Sequence, residues 1–311
     1  MSGRRPSGKA AARERALRLR AELLRADRLR AERRRRVMVA ASAIGIVVVV
    51  ILALVIVKAS GLGDGDGGGT TGAASTQASA QVIRDVTSVP PATLDKVGVG
   101  TAKAIPKRID APPLTVDGKP KVLYVGADFC PFCAAERWPV VVAPSRFGTW
   151  SSLSATTSAS EDVYPNTETL SFHGASYTST YVVFTGVETR DNKLVNGQYE
   201  PLDKLSAADQ KVFDTYDRPP YTNGSPGSIP FIDIGGGYVI SGASYSPETL
   251  AGHSREEIAA ALADPSNPIA QAVDGAANLI TAAICEVTGS KPANVCTAPG
   301  VKVAAARLAK A

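Results

Sequence analysis

The first 80 residues fall into three blocks with very different hydrophobic patterns. Residues 1–36 are rich in Arg, Ala, Leu and Glu, residues 37–57 read VMVAASAIGIVVVVILALVIV, and residues 58–80 are dominated by Gly, Ala, Ser, Thr and Asp. The 21 uncharged residues of the second block would span about 30 Å as a helix, the thickness of a bilayer's hydrocarbon core. The pattern predicts a helical arm, one transmembrane helix and a flexible linker, followed by a folded domain over residues 81–311.

The charge distribution predicts how the chain is oriented. Residues 1–36 hold fourteen basic and four acidic residues, a net +10, whereas the whole chain is +5, so the remainder carries −5. The positive-inside rule places the arm in the cytoplasm and the folded domain outside. We expect the arm to meet anionic lipid head groups; specific nucleic-acid binding is the alternative and is not expected.

A cleavable signal peptide is the alternative to the anchor. Val57-Lys58-Ala59 has small residues at the spacing of a cleavage site. The apolar stretch is longer than the usual hydrophobic region of a signal peptide, which favours an uncleaved membrane anchor.

The outer sequence mixes strand and helix patterns and predicts an α/β domain. The strand signals are β-rich runs at residues 121–126 and 181–187 and a hairpin over residues 231–241 with its turn at residues 235–237. The helix signals are caps, helix-forming runs and prolines at first helical positions, and they predict helices at residues 131–147 and 206–216, after Ser246, after Ser254 and at residues 268–288.

Cys130-Pro131-Phe132-Cys133 lies between a predicted strand and a predicted helix. A cysteine at a helix N-terminus meets unpaired N–H groups and the positive end of the helix dipole, which favour the thiolate. Cys133 lies on the same side of the helix and can close a disulfide with Cys130. This arrangement predicts a redox pair in which Cys130 forms a mixed disulfide and Cys133 resolves it.

Three other interpretations of this pair are open: a purely structural disulfide, a zinc site, and peroxidase or peptidase chemistry. Zinc would need ligands from a second pair about 150 residues away. The third would need His173 or His253, and neither has a motif around it. We expect no metal and no cofactor.

The order of strand, CxxC, kinked helix, later proline, hairpin and helix resembles the thioredoxin superfamily. The stretches AAERW at residues 134–138 and SRFG at residues 145–148 are similar to a narrower group, domain-of-unknown-function family 929, over roughly residues 81–300. The resemblance implies a thioredoxin-like domain with a helical or irregular insertion. It also implies that Pro230 is a cis-proline that faces the CxxC and that Ile229 and Pro230 bind substrate.

This sequence departs from thioredoxin at several points. Its dipeptide between the cysteines is Pro-Phe, and Tyr124 stands where thioredoxins keep a buried acid. The nearest acids are Asp128 and Glu136. About 96 residues separate Cys133 from Pro230, which leaves room for an insertion over the site.

Cys285 and Cys296 form a second pair. Cys285 lies in the last long predicted helix and Cys296 lies beyond the following turn. We expect a structural disulfide that pins the C-terminal segment to this helix; a resolving or shuttle role is the alternative.

Two functions from different classes follow. The first is a membrane-tethered thiol–disulfide oxidoreductase that acts on exported protein thiols and exchanges electrons with a membrane redox partner. The second is a catalytically silent binding or scaffold module, in which Ile229-Pro230, Phe129, Phe132 and Trp138 form an apolar docking surface for peptides.

Overall fold

The computed structural model describes residues 76–310. The predicted arm, the predicted transmembrane helix and residues 58–75 of the predicted linker lie outside the described residues. The first strand of the described residues starts at Thr76, before the expected domain boundary at residue 81, and Thr76 and Gln77 pair with another strand of the domain.

Between residues 76 and 310 the chain alternates strands and helices, as an α/β domain does. The strands are β1 (Thr76–Gln77), β2 (Lys107–Arg108), β3 (Thr115–Val116), β4 (Lys119–Gly126), β5 (Gly148–Thr157), β6 (Glu168–Ser179), β7 (Val183–Glu188), β8 (Arg190–Val195), β9 (Gln198–Pro201), β10 (Phe231–Ile234) and β11 (Tyr238–Ser241). The helices are α1 (Ala80–Thr87), α2 (Pro91–Val97), α3 (Pro131–Ser145), α4 (Ala207–Tyr216), α5 (Arg255–Ala261), α6 (Pro268–Val287), α7 (Ala293–Cys296) and α8 (Pro299–Leu308), with a 3₁₀ turn at Pro247–Leu250.

The central sheet is built around β4. Its strands run in the order β2-β11-β10-β4-β3, and β7 pairs with β4 as well. The β4–β7 pair is parallel, whereas β10 and β11 are antiparallel to their neighbours. Residues 121–126 of β4 are all buried, which explains why this strand reads as one continuous apolar run.

The predicted hairpin and the predicted caps are confirmed. Ile234 pairs with Tyr238 and closes the turn at residues 235–237. Gly236 has φ +73°, and a Cβ there would stand 2.4 Å from the Pro112 carbonyl oxygen, so the turn needs glycine at that position. Ser254 and Glu257 form a capping box at the start of α5.

Helices α3 and α6 pack against each other and form much of the core. Among the described residues α6 is the one helix that is long and apolar enough to cross a membrane, and 89% of its most apolar window is buried inside the protein. A buried core helix passes the same test. This helix lies late in the chain and is not the span predicted at residues 37–57.

The segment between α3 and β10 holds the helix α4 and irregular chain, as expected of the insertion, but it also holds the five strands β5 to β9, of which the sequence indicated only β7. β5 and β6 form a long antiparallel hairpin with register shifts near Ser152, and β8 and β9 form a second hairpin. The shifts break the alternation of apolar residues that would have identified β5. β5 is rich in Ser and Thr, so its composition resembles that of a loop although the strand pairs with β6.

Candidate redox site

Cys130 lies where β4 gives way to α3, as the sequence predicts. It is the N-cap residue of the helix, and Pro131 takes the first helical position. The Cys133 amide donates a hydrogen bond to Cys130 Sγ over 3.2 Å. The sulfur of Cys130 therefore takes the role that a serine or aspartate oxygen has at most helix starts.

The two thiols are both free but chemically unequal. The pKa of Cys130 is lowered, chiefly by a hydrogen bond from the Cys133 side chain, with smaller help from the Cys133 amide and from the charge of Arg137. Burial raises the pKa of Cys133 well above its ordinary value. Cys130 is therefore the better nucleophile, while Cys133 holds its proton.

The loop before β10 closes over Cys130. The Sγ atom of Cys130 lies 3.9 Å from the carbonyl oxygen of Ile229, and the Ile229–Pro230 peptide bond is cis. The Pro230 carbonyl accepts a hydrogen bond from the amide of Gly242 over 2.8 Å, which ties this loop to the end of β11. The structure thus brings Cys130, Cys133 and Ile229 together at one place.

A buried ion pair lies beneath the cysteines. Arg137 Nε and Nη2 each donate to Glu188 over 2.8 Å, and neither side chain is exposed. Nη2 also donates to the Ala127 carbonyl over 2.7 Å. Because Ala127 begins the loop that leads to Cys130, the Arg137 guanidinium fixes the position of this loop.

Asp128 joins the pair at the edge. Its Oδ1 lies 3.4 Å from Arg137 Nη2 and accepts a hydrogen bond from Ser171 Oγ over 3.0 Å. Burial raises the pKa of Asp128 to about 6, although Arg137 opposes that shift. The cluster therefore places a guanidinium and two carboxyls against the loop that leads to Cys130.

A model of one protein family, described as domain of unknown function (DUF929), matches residues 106–286. The chain belongs to this family. No curated protein matches the chain, and no solved structure does. The matched part of the DUF929 domain contains Cys130, Cys133, Ile229 and Pro230, and the family description states no activity.

Tyr124 stands six residues before Cys130 and supplies no charge to the site. It is fully buried in the DUF929 domain, and burial raises the pKa of its hydroxyl well above the ordinary value. A Cβ at Gly126 would stand 2.4 Å from this hydroxyl, so glycine is needed beside it. The hydroxyl has no hydrogen-bond partner among residues 76–310.

Glu136 binds the segment that follows β11 and not the ion-pair cluster. Its carboxylate accepts hydrogen bonds from Ser244 N over 2.6 Å and from Ser244 Oγ over 2.9 Å. Burial raises the pKa of Glu136 to about 7. Of the two acids near the CxxC in the sequence, Asp128 joins the ion-pair cluster and Glu136 anchors the chain after β11.

The predicted apolar docking surface is only partly present. Phe132 is 41% exposed, but Trp138 is fully buried, so its assignment to that surface is wrong. Trp138 faces the β5–β6 hairpin and donates a hydrogen bond from Nε1 to the Glu168 carbonyl over 3.2 Å. Phe129 stacks on Tyr199 with ring centroids 4.2 Å apart.

Cys285 and Cys296 are bonded in the structure, with sulfurs 1.99 Å apart and a sequence separation of 11 residues. The bond joins α6 to α7 at the C-terminal end of the domain. With these thiols used, the described residues contain no group of three Cys, His, Asp or Glu placed to hold a metal ion.

The histidines lie in different settings. His173 Nδ1 is 2.7 Å from Asp203 Oδ1, and the Asp203 Oδ2 atom accepts a hydrogen bond from the Glu188 amide over 3.2 Å. His253 is exposed beside Glu257. His173 is thus linked through Asp203 to the strand end that carries Glu188.

Sequence reasoning missed the ion pair. Arg137 follows Cys133 by four residues, so both side chains lie on one face of α3. Glu188 ends the strand that pairs with β4, and its register partner is Gly126. The spacing of Arg137 and the position of Glu188 could have predicted the ion pair, but only if the parallel pairing of β4 with β7 had been known.

Proposed function

We propose that this protein is a thioredoxin-like thiol–disulfide oxidoreductase in which Cys130 is the attacking sulfur and Cys133 the resolving one. The observation that carries the proposal is the pair of free, unequal thiols at a helix start, with the Ile229 carbonyl 3.9 Å from Cys130 Sγ. No other catalytic group is needed for thiol–disulfide exchange.

The topology supports the thioredoxin-like part of the proposal. Four strands lie in the order β11-β10-β4-β7, with β4 and β7 parallel and β10 and β11 antiparallel. The CxxC follows β4, a proline precedes β10, and α6 follows the hairpin. This is the arrangement that the sequence resemblance implies, and fold alone does not assign an activity.

The reaction we propose moves two electrons from the protein to a substrate disulfide. The Cys130 thiolate attacks one substrate sulfur, a mixed disulfide forms, and the other substrate sulfur leaves as a thiolate. Cys133 then loses its proton to solvent and attacks Cys130 Sγ, which releases the second substrate thiolate and leaves the Cys130–Cys133 disulfide. The reverse sequence oxidises a substrate dithiol.

The setting we propose comes from the N-terminal sequence. A helix at residues 37–57 would tether the domain outside the cytoplasm, with the basic arm of residues 1–36 against anionic head groups. Exported proteins that carry thiols or disulfides are then the substrates. Repeated turnover needs a separate membrane partner that supplies or removes two electrons.

Burial of the thiols favours a second candidate function, a binding or scaffold module. Only 5% of Cys130 is exposed and none of Cys133. In this alternative the fold keeps the architecture and has lost the reaction. The two candidates differ in one property, the reactivity of Cys130 in the folded protein.

The experiment is a redox titration of the full-length chain in glutathione buffers, with the Cys133→Ser variant as a trap. The oxidoreductase predicts a stable glutathione adduct on Cys130 in the trap, and a Cys130–Cys133 disulfide in the unaltered protein. Peptide mass mapping identifies the modified residue, and Cys130→Ser is the matched control. A folded trap that forms no adduct would leave the binding module as the function.

A further inference from the structure

Two segments between α3 and β10 flank the CxxC. They are the loop that joins β5 to β6, residues 158–167, and the hairpin of β8 and β9, residues 190–201; together we call them the collar. The Ala159 amide donates a hydrogen bond to the Phe129 carbonyl over 2.9 Å, and the Asp128 amide donates one to the Arg190 carbonyl over 2.9 Å. Both segments are therefore fixed to the three residues that precede Cys130.

Aromatic contacts extend this attachment on both sides of the site. Phe132, inside the CxxC, meets Tyr164 of the loop edge-on with centroids 5.9 Å apart. Phe129 stacks on Tyr199 of the hairpin with an interplanar angle of 3°. Each aromatic residue around Cys130 thus has a partner from one half of the collar.

The hairpin is also tied to the end of β5, next to the loop. Asn192 Nδ2 donates a hydrogen bond to the Thr157 carbonyl over 2.9 Å. The pKa of the Tyr199 hydroxyl is raised, first by burial and then by the negative charges of Glu161 and Asp162.

The collar exposes unusual apolar area. Six large hydrophobic side chains are exposed within residues 76–310, and four of them lie in the CxxC or the collar. These four are Phe132 at 41%, Val163 at 72%, Leu194 at 47% and Val195 at 44%. Clustered exposed apolar side chains mark interaction surfaces, whereas single ones scattered over a protein do not.

The collar carries a net negative charge. The loop holds Glu161 and Asp162 and no cation, while the hairpin holds two basic and two acidic residues. Neither Glu161 nor Asp162 forms a salt bridge with any residue in the described part of the chain. A partner seated on the apolar side chains of the collar would meet a net charge of −2.

We infer that the collar is the substrate-recognition surface of this redox site, and that it takes an extended apolar polypeptide segment with Lys or Arg near its reactive cysteine. This inference rests on the proposed function. Apolar flanks of the segment contact Phe132, Val163, Leu194 and Val195, and its cation lies against Glu161 and Asp162. The contacts hold the substrate sulfur in place for attack by Cys130.

The test uses the full-length Cys133→Ser trap and three peptides. Each peptide carries one cysteine as a mixed disulfide with a small aromatic thiol, within the same apolar flanks, and the residues beside the cysteine are Lys, Ala or Glu. We expect the Lys peptide to react about tenfold faster than the Glu peptide at low salt, with a ratio that shrinks as salt rises. The released aromatic thiol gives the rate directly.

Collar variants sharpen the result. Glu161→Gln with Asp162→Asn should bring the Lys-to-Glu rate ratio close to one. Leu194→Ser with Val195→Ser should slow all three peptides several-fold. Val303→Ser is the matched control, because Val303 is 52% exposed on α8 and lies outside the collar; it should change no rate.

Three results would overturn the inference: equal rates for the Lys and Glu peptides, a preference for the Glu peptide, or collar variants without effect. A dimer in sedimentation equilibrium that the Leu194→Ser/Val195→Ser variant dissolves would also overturn it, since the surface would then pair copies of the chain. Reaction of the trap with glutathione disulfide distinguishes failure of the proposed function from failure of the collar inference. If that reaction fails, the proposed function fails; if it succeeds while the peptides are not distinguished, only the collar inference fails.

Discussion

The two cysteine pairs of this domain differ in chemistry although each has a member on a long core helix. Cys130 and Cys133 open α3, directly after the central strand β4, and are free. Cys285 lies near the end of α6 and is bonded to Cys296 of α7. The position on the helix distinguishes the pairs, because amide hydrogens point out of the N-terminal end and carbonyl oxygens out of the C-terminal end.

The neighbouring groups of the two pairs add to the difference in their chemistry. The charge of Arg137 and the amides of Phe132 and Cys133 help to lower the pKa of Cys130. The disulfide of the other pair closes a short loop at the edge of the domain, where a covalent link restricts the unfolded chain. The same residue type therefore predicts reactivity in one place and stability in the other.

Cys130→Ser should have the largest effect on reactivity. We expect the rate of mixed-disulfide formation with glutathione disulfide to fall by at least about 100-fold, because Cys133 is buried and holds its proton. Cys285→Ser with Cys296→Ser should leave this rate within about twofold, since a structural disulfide takes no part in the exchange. Mass mapping of the adducts compares the variants, and a comparable loss in the Cys285→Ser/Cys296→Ser variant would join the two pairs functionally.

Arg137→Met tests the buried ion pair that distinguishes the first site. It leaves Glu188 charged and unpaired in the core, so we expect a loss of about 3–5 kcal/mol in the free energy of unfolding. The pKa of Cys130 should also rise, because a neighbouring cation is lost. Urea unfolding and the pH dependence of alkylation measure the two effects.

Two further variants at this pair act as controls. Arg137→Lys keeps the charge but loses the two-pronged geometry, so it should fall between the parent and Arg137→Met. Arg137→Met with Glu188→Leu should recover part of the lost stability but not the lower pKa of Cys130. Full recovery of both by the double variant would show that the ion pair serves packing alone.

Sequence reasoning succeeded wherever a signal was local. The capping box at Ser254, the glycine turn at residues 235–237 and the cap formed by Cys130 each depend on residues within four positions of one another. The apolar run of β4 was also a local signal, because a strand buried on both faces shows a continuous apolar sequence.

It failed where partners come from distant parts of the chain. Arg137 and Glu188 are 51 positions apart, and only the parallel pairing of two strands brings them together. Trp138 reads equally well as a surface aromatic or a core residue until the β5–β6 hairpin is known to cover it. Register shifts near Ser152 concealed that hairpin in turn, so one missed element led to the next error.

Loss of the second disulfide should reduce stability and nothing else. Closing a loop of about 12 residues contributes roughly 3 kcal/mol in the chain-entropy treatment, so Cys285→Ser with Cys296→Ser should lower the free energy of unfolding by about that amount. The double variant avoids a free thiol that could exchange with Cys130. Urea unfolding measures the loss. A similar loss from Cys130→Ser would contradict the view that only the second pair serves stability.

The smallest effect we expect is a pH dependence of stability from the helix of the second pair. Asp274, on α6, is buried with neither carboxylate oxygen hydrogen-bonded among the described residues. Burial raises its pKa to about 8, and Arg146 opposes the shift. Between the ordinary pKa of an aspartate and pH 8 the unfolded chain loses this proton more readily than the folded one.

Stability from the protonated form of Asp274 is therefore complete below about pH 4 and lost progressively as the pH rises to about 8. We expect the free energy of unfolding to fall by about 2 kcal/mol between pH 5 and pH 8, and Asp274→Asn to remove most of that slope. Glu136→Gln is the matched variant on α3, since the pKa of Glu136 is also raised, to about 7, but its carboxylate is held by Ser244. Urea unfolding at the two pH values measures each slope. An unchanged slope in Asp274→Asn would mean that Asp274 does not set this pH dependence and that another buried group carries it.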